Sequence, residues 1–204
     1  MIKKLSPVVI GSFLLLGPVS AQHAAIVRSV QEDLRLVAFV PAKQSCENWG
    51  FGAAVQSVLE MQNVPLRQEQ WVAKLSGGEV CEPLLRNPQE LARAVDGDYR
   101  LGGVRVVHLA ARLEGTSVDP GQLVRSIREN RPFLLIWKRH TYIVIGLRYV
   151  ETVADGIHDY NIQEMKLMDP VAGAEQEPII FRKGTSTLPE VNAILEIIAT
   201  QISS

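Results

Sequence analysis

The chain has 204 residues, 47% hydrophobic and 21% charged, with 15 glycines and 11 prolines. That balance excludes a disordered, collagen-like or low-complexity protein and leaves room for one sizeable core. Lysine plus arginine number 21 against 22 acidic residues, giving a net charge of −1 without the basic excess of a nucleic-acid binder.

The first 21 residues read as a secretory signal peptide. Lys3 and Lys4 precede the apolar run from Leu5 to Leu16, and Gly17, Pro18, Val19, Ser20 and Ala21 follow it. The run is too short to span a bilayer, which takes roughly 20 apolar residues. Cleavage after Ala21 leaves a mature chain with no later segment long and apolar enough to cross a membrane. The expected location is secreted or periplasmic. Residues 22–34 are weakly patterned and read as a leader segment, and residues 35–204 read as one domain.

Leu34 to Val40 alternates, is β-branched or aromatic, and stops at Pro41, which predicts a strand. Phe51, Ala54, Val55, Val58 and Leu59 recur at helical spacing and predict a helix from Asn48 to Met61. Asn63-Val64-Pro65 ends it. A second helix is expected from Arg67 to Leu75, closed by Ser76-Gly77-Gly78. A third opens on the cap and first-turn pair Asn87-Pro88 and runs to Ala94. Val104 to Leu109 reads as a strand and Pro120 to Glu129 as a helix capped by Asp119. Strands follow at Phe133 to Trp137, Thr141 to Tyr149, Ile162 to Met168 and Glu177 to Phe181. Leu188 to Ile202 is read as a closing helix. Helices first and antiparallel-looking strands later predict an α+β fold rather than alternating βαβ units.

Few residues carry chemistry. His23 and His158 read as solvated bystanders, and His108, within an apolar strand, as a satisfied structural histidine. His140 differs, because it stands at the junction of two strands after Lys138-Arg139. No histidine pair has metal-ligand spacing and no Cys-x-x-Cys occurs, so no metal or other cofactor is expected. Cys46 and Cys81 are the only cysteines. In an oxidising compartment they pair, closing a loop of about 36 residues with a chain-entropy gain of about 3.8 kcal/mol. The rival reading is one reactive thiol and one bystander.

The order of these residues resembles the papain-like cysteine peptidases, in particular bacterial papain-like and bacteriocin-processing peptidase domains. The likeness lies in Gln44-Ser45-Cys46-Glu47-Asn48-Trp49-Gly50-Phe51-Gly52-Ala53-Ala54, in Val64-Pro65-Leu66-Arg67, in Asn130-Arg131-Pro132-Phe133 leading to His140, and in Leu167-Met168-Asp169-Pro170. It covers roughly residues 35–175. It implies a papain-like fold, with a helical N-terminal half packed on a mostly antiparallel sheet. It also implies a site in which Gln44 aids the oxyanion, His140 is the base and Asp169 orients it. Trp49 and Phe51 are the expected substrate contacts.

The nucleophile's position is occupied by Gly50, which has no side chain to attack with. The expected function is therefore binding of a peptide or protein segment without cleavage. The alternative is an active thiol peptidase using Cys46 or another nucleophile with His140 and Asp169. Cys46 lies about one helical turn before Gly50. The family often holds a cysteine just before the nucleophile in a disulfide to a downstream loop, and Cys46 and Cys81 suit that role.

Overall fold

The computed structural model describes residues 25–35, 41–82, 87–103, 105–115, 118–173, 177–182 and 191–203. The expected signal peptide, and most of the strand expected at Leu34 to Val40, lie outside them.

The described chain opens with a strand, β1 (Ile26–Asp33), and then gives three short helices, α1 (Gly50–Glu60), α2 (Gln68–Ser76) and α3 (Pro88–Val95). Strands β2 (Gly97–Arg100) and β3 (Val106–Glu114) precede α4 (Pro120–Arg128). The remainder is strand: β4 (Phe133–Trp137), β5 (His140–Ala154), β6 (Ile157–Met168), β7 (Ile179–Arg182) and β8 (Val191–Ser203). All eight strands belong to one sheet of order β2-β3-β8-β4-β5-β6-β7, with β1 paired to β5. Every pairing is antiparallel.

This corrects the expected fold class. A papain-like fold with a helical N-terminal half packed on a sheet is not what the chain forms: the core is dominated by the antiparallel sheet, and no described helix exceeds the 11 residues of α1. Two segments account for the difference. Residues 24–34, weakly patterned in sequence, supply β1, which pairs along its length with Gly146–Val153 of β5. The closing helix expected at Leu188 to Ile202 is instead β8, paired with β3 on one side and β4 on the other. Ala193, Ile194, Leu195, Glu196 and Ile197 are all buried. A largely apolar, fully buried stretch of this kind suits a buried helix or a central strand equally well, and only its neighbours decide.

The helices form for local reasons. α1 buries Phe51, Ala54, Val55, Val58 and Leu59 and ends before Asn63, whose φ is 57°. Gly52 lets α2 approach, because a Cβ there lies 3.0 Å from the Gln68 carbonyl oxygen. Asn87 caps α3 by accepting from the Glu90 N–H at 2.8 Å, and Asp119 caps α4 by accepting from Gly121 at 3.0 Å. α4 ties two parts of the sheet together. Ser126 Oγ and Gln122 Nε2 donate to the buried Glu196 carboxylate of β8. Arg128 donates to Glu32 of β1 at 3.0 Å and to the Tyr149 hydroxyl of β5 at 2.6 Å.

Candidate functional site

The site is assembled at the point where β4 turns into β5. Phe133–Trp137 is almost wholly buried, and the chain reverses through Lys138 and Arg139. Trp137 and His140 are thereby register partners. β6 returns alongside β5 and ends at Met168, which pairs with Ile143 and leaves Asp169 beside His140. His140 Nε2 and Asp169 Oδ1 are 2.8 Å apart. The histidine side chain is 32% exposed and the aspartate 17%. Asp169 Oδ1 also accepts the Val171 N–H at 2.9 Å, and its carbonyl accepts from Ala172 and Gly173. The carboxylate is thus fixed by its own turn before it meets the imidazole. With Nε2 turned to the carboxylate, Nδ1 is the ring nitrogen that does not face Asp169.

Gln44 joins this pair to the start of α1. Its backbone N–H donates to the Pro170 carbonyl at 2.9 Å, which ties it to the residue after Asp169. Its side-chain Nε2 donates to the Glu47 carbonyl at 3.1 Å. Its Oε1 is buried without a hydrogen-bond partner and lies 3.1 Å from where a Cβ on Gly50 would sit. Gly50 is the first residue of α1, and Trp49 provides no side-chain cap there. Gln68 holds the loop of residues 43–45 in place, accepting from Ser45 N–H at 2.9 Å and donating to the Lys43 carbonyl at 3.1 Å. Gln44 thus bonds through its backbone to the residue after Asp169 and sets its side-chain oxygen beside Gly50, while Asp169 pairs with His140.

No family model matches the chain, and no curated protein matches it.

Cys46 and Cys81 are bonded to each other, with their Cα atoms 5.9 Å apart. The bond tethers residues 77–82 to the turn before α1. Trp49 Nε1 reinforces the tether by donating to the Val80 carbonyl at 3.0 Å, as does Asn48 Nδ2 to the Cys81 carbonyl at 3.3 Å. A thiol bound in a disulfide is no nucleophile. Trp49 and Phe51, expected as substrate contacts, are 7% and 6% exposed. Phe51 belongs to the central core and Trp49 is covered by the tethered loop, so neither presents a face to a ligand. The α1 face turns Phe51 inward, and the loop of residues 77–82 covers Trp49 at the helix start.

The aromatic groups that do surround His140 are others. The Tyr142 ring is 4.6 Å from the His140 ring, and Trp137 and Phe181 continue the cluster at 6.3 and 5.8 Å from Tyr142. Burial, and secondarily the Asp169 charge, push the Tyr142 hydroxyl above its ordinary value. Sequence reading passed over these rings. The available signal was the alternation Trp137, His140, Tyr142 across a tight turn.

His23 lies outside the described residues, and the other two histidines are each paired with a carboxylate. His108 Nδ1 meets Asp98 Oδ1 at 2.8 Å on the surface of β2 and β3. His158, read from sequence as a solvated bystander, has its Nδ1 2.7 Å from the buried Glu151 carboxylate. Among the described residues no three histidine, cysteine, aspartate or glutamate side chains are placed to hold a metal ion, and no helix is long and apolar enough to cross a membrane.

Proposed function

We propose that the chain carries a cysteine-peptidase-like site that has lost its nucleophile and that binds a peptide or protein segment without cleaving it. The observation that supports this reading most directly is the His140–Asp169 pair at 2.8 Å, joined through Pro170 to a Gln44 whose side-chain oxygen faces the empty position at Gly50. A histidine oriented by a carboxylate and a glutamine beside a helix N-terminus are the parts that activate a thiol and stabilise an oxyanion. Binding uses shape and backbone hydrogen bonds and does not need the thiol. The alternative of an active thiol enzyme loses support because Cys46 is bonded to Cys81. The same bond supports an oxidising, secreted or periplasmic location.

Restoring the thiol tests the site. Gly50 does not have a positive φ, and the one atom near a new Cβ is the mobile end of the Gln44 side chain. Gly50→Cys is therefore expected to fold. Its thiol, at the N-terminus of α1, is expected to titrate below the free value of about 8.5 and to react with iodoacetamide near neutral pH. The reactivity is expected to fall when His140→Ala is added. A thiol as inert as an ordinary surface cysteine, indifferent to His140, would refute the reading. Mapping under non-reducing conditions should find Cys46 still joined to Cys81 in the variant.

A further inference from the structure

Residues 77–82, which follow α2, bury no side chain. Glu79, Val80, Cys81 and Glu82 are exposed, and none of the six residues belongs to the central apolar cluster. Apart from bonds among themselves and to α2, their described bonds all come from residues 46–49. These are the Cys46–Cys81 bond, Asn48 Nδ2 donating to the Cys81 carbonyl at 3.3 Å and Trp49 Nε1 donating to the Val80 carbonyl at 3.0 Å. Two side-chain hydrogen bonds are weak against the backbone entropy of ordering such a segment. The covalent bond therefore does the holding. What it holds the loop against is a tryptophan outside the core. Trp49 is 7% exposed, yet it is absent from the central cluster to which Phe51 belongs, and the loop that accepts its N–H is what covers it.

We propose that the Cys46–Cys81 bond is a redox latch, opened by a dithiol donor, whose reduction lifts residues 77–82 off Trp49. Cys81 is exposed and Cys46 half-buried, so attack falls on Cys81. A donor thiolate bonds to the Cys81 sulfur, and the Cys46 sulfur leaves with the electron pair and takes up a proton. The donor's second thiol then attacks the donor sulfur of this mixed disulfide, and the Cys81 sulfur leaves and is protonated in turn. The donor ends as a disulfide, oxidised by two electrons, and both protein cysteines end as thiols. Opening turns a large apolar ring to solvent directly before Gly50, the first residue of α1. The helix itself stays seated, because Phe51, Ala54, Val55, Val58 and Leu59 remain in the central cluster. Release of the loop does not depend on what the site binds.

The test follows the Trp49 indole in the full protein by acrylamide quenching of tryptophan fluorescence. The oxidised protein is compared with the protein reduced by dithiothreitol and with a Cys46→Ser, Cys81→Ser variant. Trp49→Phe, measured oxidised and reduced, separates this ring from Trp71 and Trp137. Reduction is expected to raise the quenching of Trp49 several-fold while far-ultraviolet circular dichroism keeps its sheet signal. The double-serine variant is expected to match the reduced protein and to ignore dithiothreitol, and Trp49→Phe to lose the redox response. Brief treatment with glutathione, followed by mass spectrometry, is expected to find the adduct on Cys81.

A Trp49 ring as protected after reduction as before would overturn the latch. Loss of the sheet signal on reduction would also overturn it, since the bond would then be a staple of the whole fold. A bond that dithiothreitol leaves intact in the folded protein would do the same. A glutathione adduct on Cys46 would overturn the assigned direction of attack.

Discussion

Glu151 shows how one side chain joins three strands. It is buried in β5, and Arg28 of β1 donates to it at 2.5 Å while His158 of β6 lies at 2.7 Å. Without them a carboxylate in that position would be desolvated and would rise in pKa. Arg28 first, and His158 second, reverse this and hold the carboxyl down to about 2, against an ordinary value of 4.5. A depressed acid stabilises the folded state above its unfolded pKa and loses that contribution as pH falls through the folded value. Arg28→Ala is therefore expected to lower stability, with a gap from the parent that is full above about pH 5 and narrows from pH 4.5 towards 2. Urea unfolding across that range measures it, and a gap independent of pH would contradict the assignment. Gly50 and Gln44 make the opposite point at the same scale. There the informative feature is an absent side chain beside an oxygen with no partner.

Among the elements, α1 is placed by what precedes it. Its own sequence supplies an apolar face, but its N-terminus has no capping side chain, and the turn of residues 45–49 is held from outside. The Cys46–Cys81 bond, the Trp49 indole and the Asn48 amide all reach the loop of residues 77–82. Cys46→Ser with Cys81→Ser is expected to lower stability by roughly 2–4 kcal/mol, as loop-closure entropy returns to the unfolded chain. The Gly50→Cys thiol described above is expected to lose part of its activation in that background, because the helix start is no longer pinned. Iodoacetamide rates in the two backgrounds decide this. An unchanged rate would mean that the tether serves stability alone. The helices themselves were legible. Expected Asn48–Met61, Arg67–Leu75, Pro88–Ala94 and Pro120–Glu129 correspond to α1, α2, α3 and α4, displaced by no more than a residue or two at each end. Their caps and apolar spacings are local, so sequence carries them.

For the molecule as a whole, β5 is where the sheet divides. One edge of β5 pairs with β4 from His140 to Val144 and then with β1 from Gly146 to Val153, while β6 runs along the other edge. The handover falls at Gly146, where the β5–β6 register also shifts. A Cβ there would overlap the Asp33 carboxylate and sit 3.2 Å from the Glu32 carbonyl oxygen. Gly146→Ala is expected to push β1 away and cost about 1–3 kcal/mol, the range typical of overpacking. Adding Asp33→Ala should recover part of the loss, since the carboxylate is the nearer obstacle. Denaturant midpoints for the two variants provide the measure. If the single variant were as stable as the parent, close approach of β1 would not be what requires glycine.

The sequence by itself determined the four described helices, β4, the inner parts of β5 and β6 and the pairing of two cysteines. Each depends on contacts within a few residues or on a chemical type that has few alternatives. Tertiary structure decided the rest. Ile26–Asp33 has little pattern of its own and becomes a strand because β5 offers an unpaired edge more than a hundred positions later. Val191–Ser203 is rich in apolar residues without a clear period and becomes a strand because β3 and β4 flank it. Trp49 and Phe51 flank Gly50 in the chain yet turn inward, while Trp137, Tyr142 and Phe181 gather around His140 from separate strands. A β-strand gains its hydrogen bonds from other segments, so its existence and its neighbours are properties of the assembled sheet, whereas a helix closes its hydrogen bonds within itself.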